Sequence, residues 1–199
     1  MTVLRWKRVE ISGGALLLGA VLFYLDDQSL FLLSMLACIA HELGHYLAIL
    51  ALGGQVTGLR ITCVGAEMRL SGRRPLNWFS QVLAALSGPL VNLGLGFAAL
   101  RIWGEVGWCF AGINFALGAF NLLPAGCLDG GRALRFLLTP LLGEEGALRF
   151  LKVLAWALAA GLLVGTALLA WQGSLNLTLP LLSGWLLTGN FQGKKACIK

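Results

Sequence analysis

The chain has 199 residues, of which 58% are hydrophobic and 12% charged, with a mean hydropathy of +0.81. That composition excludes an ordinary soluble domain of this size, which needs far more polar surface. The net charge of +6 suggests nucleic acid, but the placement of the charges argues against it; five scattered cysteines without a CxxC pair favour neither a disulfide framework nor a thiolate zinc site.

Apolar stretches of about 20 residues point to an all-α polytopic membrane protein, since only helices and closed barrels satisfy backbone groups in lipid. The alternation of a barrel is missing over most of the chain. The basic start, MTVLRWKRVE, leads into an apolar run without a clean cleavage site, so residues 11–25 read as a retained first span, short enough to be tilted or re-entrant.

The second span, about 29–52, contains His41-Glu42-Leu43-Gly44-His45. An ionised residue there costs roughly 2.5–3.5 kcal/mol on insertion scales. Positions i and i+4 share a helix face, so both imidazoles can meet one ion, and Glu42 stands beside them as a base for an attacking water. These are the only two histidines in the chain.

Residues 55–71 break the helical pattern with two short β-prone runs around Val64-Gly65-Ala66. A small cytoplasmic β-hairpin is expected; the alternative is an irregular amphipathic loop. Spans at about 77–101 and 106–123 come next. The fourth ends in Asn121-Leu-Leu-Pro124-Ala-Gly126-Cys127-Leu128-Asp129-Gly130-Gly131, where proline and glycines break the helix. Catalytic zinc takes three protein ligands and an open position, and Asp129 is the candidate third. The other reading of Asp129 is a helix N-cap before Arg132. Spans at 147–171 and 175–191 complete about six, within one membrane-embedded domain, 1–199 (core spans about 29–131; accessory spans 11–25, 147–171 and 175–191). No appended soluble domain is expected.

Sorting the 15 basic residues by alternate connections puts 14 on one side and only Arg101 on the other. The positive-inside rule then places both termini and the long loops in the cytoplasm of a bacterial cell, and accounts for the net charge without nucleic acid. Trp6, Trp78, Trp103, Trp108 and Trp171 fall near expected span ends, whereas Trp156 and Trp185 are expected to pack internally. Cys38 and Cys109 are expected to be small apolar residues within spans.

HELGH in the second span, Ser87-Gly88-Pro89 with Asn92, and the N-x-x-P-x-x-x-L-D-G spacing of Asn121, Pro124, Leu128, Asp129 and Gly130 together resemble the site-2 protease family of intramembrane metalloproteases. The span count looks most like the stage IV sporulation protein FB-like subgroup, without its nucleotide-binding CBS domain. The resemblance implies zinc held by His41, His45 and Asp129, with Glu42 as general base and later proton donor. It implies contact of Asn121 with the substrate backbone or oxyanion, the alternative being a polar helix-end residue. Gly88 and Pro89 would pack closely on the HELGH helix. Gly126 and Cys127 depart from the family's usual proline and apolar residue; Cys127 would line the site or, less expectedly, bind the metal.

The expected activity is zinc endopeptidase cleavage of a membrane-anchored protein within or beside its transmembrane segment, the lipid bilayer and regulatory membrane proteins being further partners. The resemblance implies a sigma-factor precursor as substrate, the alternative being an anti-sigma or other membrane regulator. The competing readings are a proteolytically silent zinc-binding scaffold, which has no use for Glu42, and a metal transporter, which needs polar residues that the last two spans lack.

Overall fold

The computed structural model describes residues 3–6, 9–26, 30–62, 65–70, 76–126, 128–171, 180–181 and 183–184. Trp185, Cys127 and nearly all of the expected 175–191 span lie outside these. The protein comprises two compact units, residues 1–120 and 121–199.

The first unit begins with two strands, β1 (Val3–Trp6) and β2 (Val9–Ser12), followed by helix α1 (Gly13–Tyr24) and helix α2 (Leu30–Ala51). Strands β3 (Val56–Thr62) and β4 (Gly65–Leu70) come next, then helices α3 (Trp78–Trp103) and α4 (Trp108–Asn121) around a single 3₁₀ turn at Gly104–Gly107. The expected β-hairpin is present as β3 and β4, paired antiparallel with Thr62 opposite Gly65. It belongs to a larger four-stranded sheet of order β1-β2-β3-β4. An all-α protein with one hairpin is thus corrected to a mostly helical protein with a mixed sheet. The β2–β3 pair is parallel, with Glu10 opposite Arg60, and α1 and α2 form the crossover between them. Glu10 also lies 3.4 Å from Arg69 and 4.0 Å from Arg60, so its carboxylate links three strands. Exposed pairs of this kind contribute about 0.2–1 kcal/mol each, so the pairing serves register more than stability.

The sequence sets the helix ends. Ser12 Oγ accepts from Ala15 N at the start of α1, and Asn77 Oδ1 accepts from Ser80 N at the start of α3. Asp26 accepts from both Leu30 N and Phe31 N, anchoring the beginning of α2. At 12 residues, α1 is about 18 Å long at 1.5 Å per residue, short of a ~30 Å hydrocarbon core. The 14 residues of α4 are short for the same reason.

Helices α2 and α3 meet along small residues. The buried positions Ala37, His41 and Gly44 of α2 and Ala84, Ala85, Gly88 and Asn92 of α3 are spaced three and four apart. A Cβ on Gly44 would stand 2.9 Å from Val91 Cγ2 and 3.1 Å from the Ser87 carbonyl oxygen, so only glycine allows this approach. Large apolar side chains such as Leu36, Leu47, Phe97 and Ile102 point outward. Burial in a protein core cannot explain that distribution; an apolar solvent can.

In the second unit, α5 (Asp129–Trp171) covers 43 residues. The stretch expected to be loop up to residue 146 is therefore largely helical. Gly143 interrupts it with φ 71° and ψ 170°, a left-handed conformation that favours glycine. Arg135 pairs with Glu144 across this break. The expected 147–171 span is the distal part of α5.

Among the described residues, three helices are long and apolar enough to cross a membrane: α2, α3 and α5. The expected count of about six is not reached there, because α1 and α4 are short and the last expected span is not described. Trp78, Trp103, Trp108 and Trp171 stand exposed at helix ends, as an interfacial belt requires. Trp156 is 49% exposed on α5, so its expected internal packing role is corrected. Cys38 and Cys109 lie on helices as expected and face outward.

Candidate metal centre

The helical phase of α2 carries His41 and His45 onto the face that packs on α3. The rings meet edge to face, with centroids 4.7 Å apart and Nε2 atoms 3.1 Å apart. On the far side of each ring, Nδ1 is engaged. His45 Nδ1 lies 2.7 Å from the Ala84 carbonyl oxygen, and His41 Nδ1 lies 2.6 Å from Asn92 Oδ1. A carbonyl only accepts, so His45 carries its proton on Nδ1. The Asn92 amide is oriented by Nδ2, which donates to the Ala37 carbonyl at 3.1 Å and to Asn114 Oδ1 at 2.8 Å. Its Oδ1 is left to accept from His41, whose proton is thereby also on Nδ1.

Both Nε2 atoms then direct lone pairs into one small space, where they repel unless a cation or a proton lies between them. Two zinc–nitrogen bonds of about 2.0–2.1 Å at a tetrahedral angle would separate the nitrogens by about 3.3 Å, close to the arrangement found. The residues present therefore fit zinc. Asn92 and Asn114 are fully buried and satisfied. Leaving one such group without its partner costs about 1–3 kcal/mol, so the rings are held in orientation.

Gly88 is what admits the His45 ring. A Cβ there would overlap Nε2, Cε1 and Cδ2 of His45. The Gly88→Ala substitution is expected to displace the imidazole and eliminate stoichiometric zinc, measured by elemental analysis. Gly94→Ala, on the same helix but facing open space, is expected to leave zinc unchanged. Glu42, next to His41, is half-buried.

In the second unit, the segment after α4 turns sharply. Ala125 N donates to the Leu123 carbonyl and Leu128 N to the Ala125 carbonyl, and Arg132 N then donates to the Leu128 carbonyl in the first turn of α5. Side chains at Gly130 or Gly131 would collide with the Leu122 or Ala125 carbonyl oxygens. The glycines thus let the turn fold tightly over the start of α5. Asp129, the first residue of α5, is buried, and Arg132 Nη1 lies 3.6 Å from its carboxylate. Asn121 is half-buried at the end of α4.

Asn114 carries no signal in the sequence, because one asparagine in an apolar run forms no motif. Asn92 is legible in the sequence only as part of the Gly88-Pro89 element, without its contact to His41.

Residues 98–165 match the model of Peptidase family M50. Rip3 of Mycobacterium tuberculosis, named as a zinc metalloprotease, is 31% identical over 181 residues, covering 77% of this chain and 45% of Rip3. A zinc metalloprotease of Methanocaldococcus jannaschii is 27% identical over 135 residues, covering 63% of this chain and 38% of that protein. The chain thus spans less than half the length of these curated relatives. The solved site-2 protease from M. jannaschii superimposes with a TM-score of 0.67 at 22% identity, covering 98% of this chain and 96% of that one, which is a likeness of fold.

Proposed function

Because the chain belongs to Peptidase family M50, the site-2 proteases, we propose that it is an intramembrane zinc endopeptidase. The observation that carries this is the His41–His45 pair on an apolar helix, with Nε2 atoms 3.1 Å apart and both Nδ1 atoms held by acceptors. Two imidazoles and a carboxylate are a donor set that zinc takes, and we assign Asp129 as the third ligand beside His41 and His45. Zinc, when bound, supplies a Lewis acid that polarises a carbonyl and lowers the pKa of water to about 7.

The chain's own residues do the rest. Glu42, one position from His41 and on the same helix, takes the proton of the attacking water and returns it to the departing amine. Asn92 and the Ala84 carbonyl hold the imidazoles in one tautomer and orientation. Asn121 contacts the substrate backbone or the developing oxyanion.

A substrate helix hides its peptide bonds in its own hydrogen bonds, so the cleaved segment must unwind. An extended segment can pair with a sheet edge. Strand β3 lies between β2 and β4, which leaves β4 as the edge next to it. Proline on outward-facing amides of β4 is expected to slow cleavage several-fold while folding persists, measured as initial rates in proteoliposomes. The same change in β3 is expected to disrupt the sheet itself.

The substrate class is a membrane-tethered protein cut within or next to its transmembrane segment, such as a sigma-factor precursor or an anti-sigma regulator. The charge asymmetry supports a chain that spans the membrane several times with both termini cytoplasmic. The test is reconstitution with a tethered substrate, with the cut position read by mass spectrometry. A protein that binds zinc stoichiometrically yet never cleaves would be the silent scaffold instead.

A further inference from the structure

Beyond the two imidazoles, the first unit holds a directional chain of amides. Asn114 Nδ2 on α4 donates to the Phe110 carbonyl at 2.8 Å. Asn114 Oδ1 accepts from Asn92 Nδ2 on α3, which also donates to the Ala37 carbonyl on α2. Asn92 Oδ1 accepts from His41 Nδ1. The polarity of this chain is not free. Phe110 and Ala37 contribute backbone carbonyls, which only accept, one at each amide. Turning over Asn114 would set oxygen against the Phe110 carbonyl; turning over Asn92 would set oxygen against the Ala37 carbonyl and NH₂ against His41. Both asparagines are fully buried, so water cannot substitute at either.

We propose that Asn114 and Asn92 are positioning residues that together fix the His41 tautomer, so that a residue on α4 sets the metal affinity of a ligand on α2. The metal part of this rests on the zinc reading above; the tautomer part does not. His45 draws its orientation from the Ala84 carbonyl of α3, outside the chain of amides, and serves as an internal control. The device also makes the metal ligand sensitive to how α4 packs on α3. Contacts near it include Phe97 against Phe115, with centroids 4.9 Å apart, and a Gly118 Cβ would stand 3.1 Å from the Pro89 carbonyl oxygen.

The chain has only two histidines, so the imidazole nitrogen NMR spectrum of the metal-free 199-residue chain in detergent or nanodiscs, purified without a histidine tag, contains two residues. Wild type is expected to keep Nδ1 protonated at both rings, with or without a proton shared between the Nε2 atoms. Asn92→Ala and Asn114→Ala are expected to give a tautomer mixture at His41 while His45 keeps its signature. Zinc affinity at fixed pH is expected to fall about 10–100-fold for Asn92→Ala and about tenfold for Asn114→Ala, the range for outer partners of a ligating histidine. Asn114→Ser, which keeps a polar group in the buried site, covers the case in which alanine disturbs folding, and is expected to fall between wild type and alanine. Wild-type His41 with its proton on Nε2 and none on Nδ1 overturns the proposal without any variant. So does a folded Asn114→Ser or Asn114→Ala protein with wild-type tautomer and affinity. A wild type with the expected tautomers that takes up no zinc instead overturns the metal reading and leaves the amide chain standing.

Discussion

Replacing Glu42 by glutamine is expected to abolish cleavage while zinc content and folding stay at wild-type levels. Glutamine has the same shape and makes hydrogen bonds, but it cannot take a proton from water. A general base contributes about 10²–10⁴-fold to such a reaction, so the residual rate should fall by at least that factor. The zinc ligands are untouched, because the imidazoles are oriented by the Ala84 carbonyl and Asn92 rather than by Glu42. Initial rates on a tethered substrate, with zinc measured in the same preparations, check this. Undiminished cleavage by Glu42→Gln would remove the base from the mechanism. Loss of zinc together with cleavage would make Glu42 part of the site's structure instead.

The second large effect is expected at Asp129. Its two sequence readings, metal ligand and helix N-cap, separate under one substitution. Asparagine caps helices about as well as aspartate, so a residue that only caps tolerates Asp129→Asn. A zinc ligand does not, because a neutral amide replaces an anionic oxygen. Zinc affinity is expected to fall by more than the ~10–100-fold typical of disturbing an outer partner, and cleavage with it, while helix content is retained. The Asp129 carboxylate lies 3.6 Å from Arg132 Nη1, and that guanidinium is half exposed. Arg132→Ala is therefore expected to change zinc affinity much less. Equilibrium zinc competition with a chromophoric chelator measures all three proteins.

Much of this was legible because the chemistry sits in local patterns. The i,i+4 spacing of His41 and His45 predicts one shared face, and the structure places both rings there. The β-prone runs of residues 55–71 predicted a hairpin, found as β3 and β4. Other elements carried weaker signals. Strands β1 and β2 are four residues each, and Arg5 of β1, with Lys7 and Arg8 between the strands in sequence, reads as a topology signal rather than as strand. The start of α5 is rich in glycine and arginine and contains Pro140, which reads as loop; the helix forms nonetheless, with only Gly143 breaking its backbone. Trp156 shows the limit of inferring burial from distance to a span end, because in lipid a mid-helix tryptophan can face outward. The chain of amides was the hardest to see. Asn92 and Asn114 are 22 residues apart, and only the packing of α3 on α4 makes them partners.

The most direct measurement is metal-dependent cleavage by the purified protein in proteoliposomes with a membrane-anchored substrate. Chelation is expected to stop cleavage, and stoichiometric zinc to restore it in wild type but not in Glu42→Gln. Cleavage that persists after zinc has been removed to below one-tenth occupancy would contradict a zinc endopeptidase built on His41, His45 and Asp129.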